Sequence, residues 1–245
     1  MAAIKTIGIL GGMGPAAGVD LLTKIIRDTL AETDQMHIPA LLFSDSKVPD
    51  RTTAILHGGA DPRPELEHAA RTLISAGAEL LLIACNTAHY YYSAVSQSVN
   101  VPVLHMPRET AVFVRKNQFR KVALLSTTGT IAAGVYSDAF TLEAPQCELL
   151  LPTGEEQAVI MDLIYEGVKK NCTNYDTTKV TVVLNNLRQR GAQAFILGCT
   201  ELPIALSQGL LYFAERESID PTCILARSAI LRAGARLRNP EAWPT

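Results

Sequence analysis

The sequence predicts an α/β fold made of two similar halves. Each half is a mainly parallel sheet with helices on both faces. The halves are related by a pseudo-twofold axis, and the cleft between them is where a site is expected. Three observations predict this. Apolar runs of strand length alternate with helical patterns, the order that builds parallel sheets. Gly8-Ile9-Leu10-Gly11-Gly12-Met13-Gly14 aligns with Ala123-Leu124-Leu125-Ser126-Thr127-Thr128-Gly129 at an offset of 115 residues, and Ile83-Ala84-Cys85-Asn86-Thr87 aligns with Leu197-Gly198-Cys199-Thr200-Glu201 at an offset of 114. With 245 residues, 48% of them hydrophobic, the chain is long enough for two cored units of roughly 100 residues each.

Ile7-Gly8-Ile9-Leu10 reads as the first buried strand. Val19 to Leu30 places apolar residues at 19, 22, 26 and 30, the spacing of one helix face. Ala40-Leu41-Leu42-Phe43 is a second strand. Residues 44–64, rich in Pro, Asp and Gly, read as a long functional or mobile loop. A helix over 65–76 ends at Gly77, a natural C-terminal cap. Strands follow at 80–84 and 101–104, a helix at 109–117, and a strand at 122–125. Helices are expected over 131–142, 155–170 and 177–190, and a strand at 194–197. The expected division is an N-terminal domain over 1–107, a second domain over 108–215, and a C-terminal segment, 216–245, that completes the first.

Composition narrows the function. The net charge of −2 and the lack of a long basic run give little electrostatic support for nucleic acid or a membrane surface. No stretch has the ~18 uninterrupted apolar residues of a membrane span. The N-terminus has no signal-peptide cleavage region, so a cytoplasmic location is expected. Five cysteines at 85, 147, 172, 199 and 223, with no CxxC pair, argue against a disulfide framework or a Cys-rich zinc site.

Cys85 and Cys199 each follow a buried strand, at equivalent places of the repeat. Ligand sites of parallel sheets gather at the carboxyl ends of strands, beside helix N-termini that lower a thiol's pKa. If the halves face each other, the two sulfurs address one cleft from opposite sides. One group then removes a proton from one face of a stereocentre, and the other returns one to the opposite face. A lone cysteine at a strand end is most often an inert small hydrophobe; two at matched positions make that account weaker. Cys147, Cys172 and Cys223 have no such context.

Other features admit competing readings. The loop Gly11-Gly12-Met13-Gly14-Pro15 has amides that suit an anion. Gly12-x-Gly14-x-x-Ala17 also matches a dinucleotide fingerprint, but Glu32, Asp34 and Asp45 are badly placed for the ribose. Thr127 and its neighbours Ser126, Thr128 and Thr130 either contact a carboxylate or cap a helix. Arg51 has the planar fork that grips a carboxylate, although a loop arginine is more often simply solvated. His89, four residues after Cys85, suggests a Cys–His nucleophile, but that spacing favours a packing or capping histidine.

Taken together, Cys85-Asn86-Thr87-Ala88-His89 and Gly198-Cys199-Thr200-Glu201 closely resemble the aspartate/glutamate racemase superfamily. Ile7 to Pro15, Ile38-Pro39, Pro49-Asp50-Arg51-Thr52, Asp61-Pro62-Arg63-Pro64, Thr127-Thr128-Gly129-Thr130 and Ile164 to Lys169 resemble its aspartate racemase branch. The resemblance covers residues 4 to 205, and more loosely extends to 237. It implies an amino-acid racemase that uses neither pyridoxal phosphate nor a metal, forms homodimers, and acts on a small acidic amino acid, with aspartate foremost. It implies catalytic roles for Cys85 and Cys199, carboxylate binding by Arg51 and Lys169, and substrate contacts from Met13, Gly14, Asn86, Thr87, Thr127 and Thr200. Ser44-Asp45-Ser46-Lys47 and the apolar Leu206 to Ser218 depart from the pattern. The alternatives are a glutamate or broad-specificity racemase, a maleate-isomerase-like enzyme, and a catalytically silent amino-acid-binding protein.

Overall fold

The apolar runs and helical patterns resolve, in a computed structural model that describes residues 3–172 and 174–244, into eight strands and eleven α-helices. In chain order these are β1 (Ile7–Gly11), α1 (Pro15–Asp28), β2 (Ala40–Ser44), α2 (Arg51–His57), α3 (Arg63–Ser75), β3 (Leu80–Ile83), α4 (Tyr92–Gln97), β4 (Val103–Leu104) and α5 (Met106–Lys116). The second half follows with β5 (Lys121–Leu125), α6 (Thr128–Ala132), α7 (Val135–Glu143), β6 (Glu148–Leu150), α8 (Gly154–Asp162), α9 (Thr178–Gln189), β7 (Ala194–Leu197), α10 (Glu201–Ser207), β8 (Ser218–Ile219) and α11 (Pro221–Arg232).

The strands make two four-stranded sheets, ordered β2-β1-β3-β4 and β6-β5-β7-β8, and every pairing within them is parallel. The order is the same in both, so β1 corresponds to β5 and β3 to β7, as the repeat predicts. Side chains alternate faces along a strand, and this divides the core. In the first sheet, Ile7, Ile9, Leu80 and Leu82 pack against α1 and α11, while Leu10, Leu81 and Ile83 pack against α3. In the second, Ala123, Leu125, Phe195 and Leu197 face α8, α9 and α10, while Val122, Leu124 and Ile196 face α5 and α7.

The helices that end each half are exchanged. α5 follows β4 of the first sheet, yet Ala111 and Val114 pack in the core of the second. α11 follows β8 of the second sheet, yet Leu225, Ala226, Ala229 and Ile230 complete the core of the first. The two helices meet through Glu109, which accepts from Ser228 Oγ at 2.8 Å and Arg232 Nη2 at 2.9 Å. β8 pairs with β7, so the C-terminal segment rejoins the first half only from Pro221, not from residue 216.

Several local expectations need correction. The predicted face of the first helix, 19, 22, 26 and 30, is not the buried one. Ala17, Gly18, Leu21 and Ile25 are buried, whereas Val19, Ile26 and Leu30 lie exposed. Residues 44–64 are not all loop, because the Asp50 side chain accepts from Thr53 N at 2.7 Å and starts α2. The helix expected over 131–142 is two, split at Gly134, whose φ of +67° is left-handed. The helix expected over 155–170 becomes π-helical from Leu163 to Lys169. No strand was expected for β6 or β8. Among the described residues, no helix is long and apolar enough to cross a membrane.

Candidate active site

Both sheets aim their carboxyl ends at one cleft. β3 delivers Cys85-Asn86-Thr87, and β7 delivers Cys199-Thr200-Glu201. The cleft is also lined by Met13 after β1, by Asp50, Arg51 and Thr52 at the start of α2, by Thr127 after β5, and by Tyr165 and Lys169 of the π-helical stretch. Nine of the ten residues named from the sequence therefore converge. Gly14 does not line the cleft; it leaves room for Glu201, whose Oε1 would lie 3.2 Å from a Cβ there. The cavity is tight. About 20 Å³ is free, room for little more than one water molecule.

The glycine loop has a packing cause. Gly12 has φ +91°, and a Cβ there would lie 2.2 Å from the Asp45 carbonyl oxygen. The loop thus lets two strand ends meet, which leaves the dinucleotide match without a role. Asp45 and Lys47 do not line the cleft, and Asp45 Oδ1 accepts from Lys47 N at 2.9 Å.

The two sulfurs have unlike neighbours. Cys199 is 7% exposed, and its Sγ donates to Glu201 Oε2 at 2.9 Å. Burial first, then the charge of Glu201 and its hydrogen bond, push the Cys199 thiol well above its ordinary range, against the pull of Lys169. The Glu201 amide at the start of α10 does lower this thiol's pKa, as a helix N-terminus should, but burial and the Glu201 carboxylate outweigh it. Glu201 also holds Lys169, with Nζ 3.2 Å from Oε1, and accepts from Thr200 Oγ1 at 3.3 Å. Burial works against the Lys169 ammonium, but Glu201 and Cys199 outweigh it and keep that group above its ordinary value.

Cys85 has Arg51 beside it instead. This arginine is buried rather than solvated. Its Nη2 donates to Met13 O at 3.1 Å and its Nη1 to Pro49 O at 3.0 Å, while Nε is buried without a partner. Burial disfavours the guanidinium, but the charges of Cys85, Asp50 and Glu201 outweigh it and raise its pKa.

His89 is a packing histidine. Its Nδ1 lies 2.8 Å from Cys85 O, and its Nε2 accepts from Met106 N at 3.0 Å, which makes Nδ1 the protonated nitrogen. Burial lowers its pKa to about 4, so the ring is neutral near pH 7. Thr127 caps α6. Its hydroxyl also lies 3.2 Å from that of Thr87 and 3.0 Å from that of Thr130, and Thr87 and Thr130 are 2.7 Å apart. These three hydroxyls from both halves satisfy one another. Sequence reasoning missed Asp50, Thr52, Tyr165 and Glu201 as site residues; Glu201 sits inside a quoted motif, but its role depends on Lys169, far off in the chain. Among the described residues, no cluster of three or more His, Cys, Asp or Glu side chains is placed to hold a metal ion.

Comparison with known proteins gives a consistent picture. The family described as Asp/Glu/hydantoin racemase matches residues 10–229. The broad specificity amino-acid racemase RacX of Bacillus subtilis is 24% identical over 227 residues, covering 91% of this chain and 96% of that protein. A glutamate racemase of Geobacter metallireducens is 28% identical over 246 residues, covering 96% of this chain and 83% of the other. The solved structure of Picrophilus torridus aspartate racemase superposes with a TM-score of 0.82 at 31% identity and 96% coverage of both chains. An aspartate racemase homologue from Pyrococcus horikoshii has a TM-score of 0.72 at 29% identity, covering 94% of this chain and 99% of that one.

Proposed function

The chain belongs to the Asp/Glu/hydantoin racemase family, and on that premise we propose that it interconverts L- and D-aspartate by a two-base mechanism needing no cofactor. The observation that carries this reading is the meeting of Cys85 and Cys199, one from each half, in a single tight cleft that also presents Arg51 and Lys169. Two thiols on opposite sides of an α-carbon supply one base and one acid, and each reaction direction reverses their roles. Arg51 and Lys169 supply the positive charge that a second carboxylate requires. The aspartate racemase among the structural neighbours supports the choice of aspartate. The glutamate and broad-specificity relatives support the alternative substrates.

The geometry divides the work. The Cys199 thiol, held above its ordinary range, keeps a proton to donate, with Glu201 as its partner. Arg51 stands as counter-charge on the Cys85 side. The cleft is tight, and entry of substrate is read as a lifting of α2 and its preceding loop, which settle again before chemistry.

The test is incubation of each amino acid in deuterated water. L- and D-aspartate should both racemise and gain deuterium at the α-carbon, glutamate less and alanine least. Binding of aspartate with no α-deuterium would instead identify a silent binding protein. The reading extends to a reducing, cytoplasmic location, in keeping with two neighbouring thiols, and to a homodimer. Light scattering would test the homodimer.

A further inference from the structure

Asn86 is gripped from the opposite half. It directly follows Cys85, lines the cleft, and is 2% exposed. Its Oδ1 accepts a hydrogen bond from the Tyr136 hydroxyl at 2.6 Å, while its Nδ2 is buried without a partner in the protein. Tyr136 stands on α7 of the second half and is itself 1% exposed.

The two ends of a side-chain amide are chemically opposite: the oxygen accepts and the NH2 donates. A phenol that donates to the oxygen therefore decides which end is left for the cleft. Burial raises the Tyr136 pKa far above its ordinary range, so the group stays a donor wherever the protein is stable. Buried polar groups nearly always have a partner, and one without is a natural place for a ligand group. The nearby hydroxyls of Thr87, Thr127 and Thr130 are turned on one another. The Asn86 NH2 is thus a side-chain donor held in reserve beside Cys85.

We propose that Tyr136 is a positioning residue: from the core of the second half its phenol holds Oδ1 of the Asn86 amide, so that Nδ2 meets the substrate's α-carboxylate and Oδ1 is kept from it. This rests on the reading of the cleft as an amino-acid site. It assigns the α-carboxylate to the Cys85 side, apart from the second carboxylate at Arg51 and Lys169. It also makes substrate recognition by the first half dependent on a residue of the second.

A double-mutant cycle tests it. Tyr136→Phe, Asn86→Ala and the double variant are titrated by calorimetry with an equilibrated mixture of L- and D-aspartate, and their thermal midpoints are recorded alongside. Tyr136→Phe should weaken binding about tenfold, the scale of one hydrogen bond to a charged group. In the Asn86→Ala background the same change should have no further effect on affinity. An equal loss in both backgrounds, or none in the wild-type background, overturns the proposal. Asn86→Asp serves as a second probe, since it leaves an acceptor for Tyr136 but removes the donor. It should bind no better than Asn86→Ala, and wild-type affinity would overturn the proposal. Racemisation in the wild type is read separately: its absence would sink the proposed activity, while the affinity cycle decides the role of Tyr136.

Discussion

Cys85-Asn86-Thr87 and Cys199-Thr200-Glu201 occupy the same place in two copies of one fold, yet their surroundings have opposite sign. The first sulfur has a buried guanidinium beside it, from Arg51. The second donates to a buried carboxylate, Glu201. Two residues after each cysteine stands the difference: Thr87 in one copy and Glu201 in the other. Topological symmetry supplies two opposed thiols; local asymmetry gives them distinct electrostatic settings. In the proposed reaction cycle the two groups exchange roles, but their resting surroundings differ.

The comparison can be broken most severely at the sulfurs themselves. Cys85→Ser and Cys199→Ser should each lower racemisation by about 10²–10⁴-fold, because a hydroxyl lacks an activator here. Each variant should retain α-proton exchange mainly for the enantiomer served by the surviving thiol. Racemisation at the wild-type rate in either variant removes that cysteine from the mechanism.

Arg51→Leu deletes the cation on the Cys85 side. A charge-assisted hydrogen bond is worth ~1.5–3 kcal/mol, so kcat/KM for aspartate should fall by about tenfold to a few hundredfold. Alanine, if turned over at all, should lose much less. Lys169→Leu should act in the same direction. Equal losses for alanine and aspartate in both variants would show that neither residue reads the second carboxylate.

A smaller effect is expected where the lid of the first half rests on the second. Thr52 of α2 lies against Gly129 of α6, and a Cβ on Gly129 would come within 2.5 Å of Thr52 Oγ1 and 2.8 Å of Thr52 Cα. Gly129→Ala should hold the lid ajar and raise KM by about tenfold, since overpacking costs ~1–3 kcal/mol. Steady-state kinetics at saturating aspartate separate this from a loss of kcat.

The finest probe is Glu201→Gln, read through pH. In the wild type, burial and Glu201 raise the Cys199 pKa, so the sulfur keeps its proton to higher pH. Removing the carboxylate leaves Lys169 to favour the thiolate. The basic limb of the pH–rate profile should then move to lower pH. A basic limb that stays in place, or moves up, would detach Glu201 from the Cys199 proton.

Much of this was legible in the sequence, for physical reasons. The near-equal offsets at Gly14/Gly129 and Cys85/Cys199 expose the duplicated sheet order, because buried parallel strands are continuous apolar runs. Arg51 and Thr127 are candidate carboxylate contacts from residue type and loop position, whereas Lys169 is visible only through motif resemblance. The α1 face was misjudged because two apolar stripes compete on it, and only contact with α11 shows that Leu21 and Ile25 are buried. α2 is short and polar, and its start depends on the Asp50 cap. Tyr136 reads as an ordinary core aromatic, since its partner Asn86 lies 50 residues away.

The exchange of α5 and α11 has a bearing on how the chain is made. Synthesis proceeds from the N-terminus, and domains tend to fold as they emerge. The first sheet is complete once β4 has left the ribosome, but α1 shares one of its faces with α11 (Pro221–Arg232), which follows all four strands of the second sheet. The side that carries Ile7, Ile9, Leu80 and Leu82 is therefore fully shielded only after α11 has joined α1 on it. Each core is thus finished by a helix from the other half's stretch of chain, so the two halves complete their packing together.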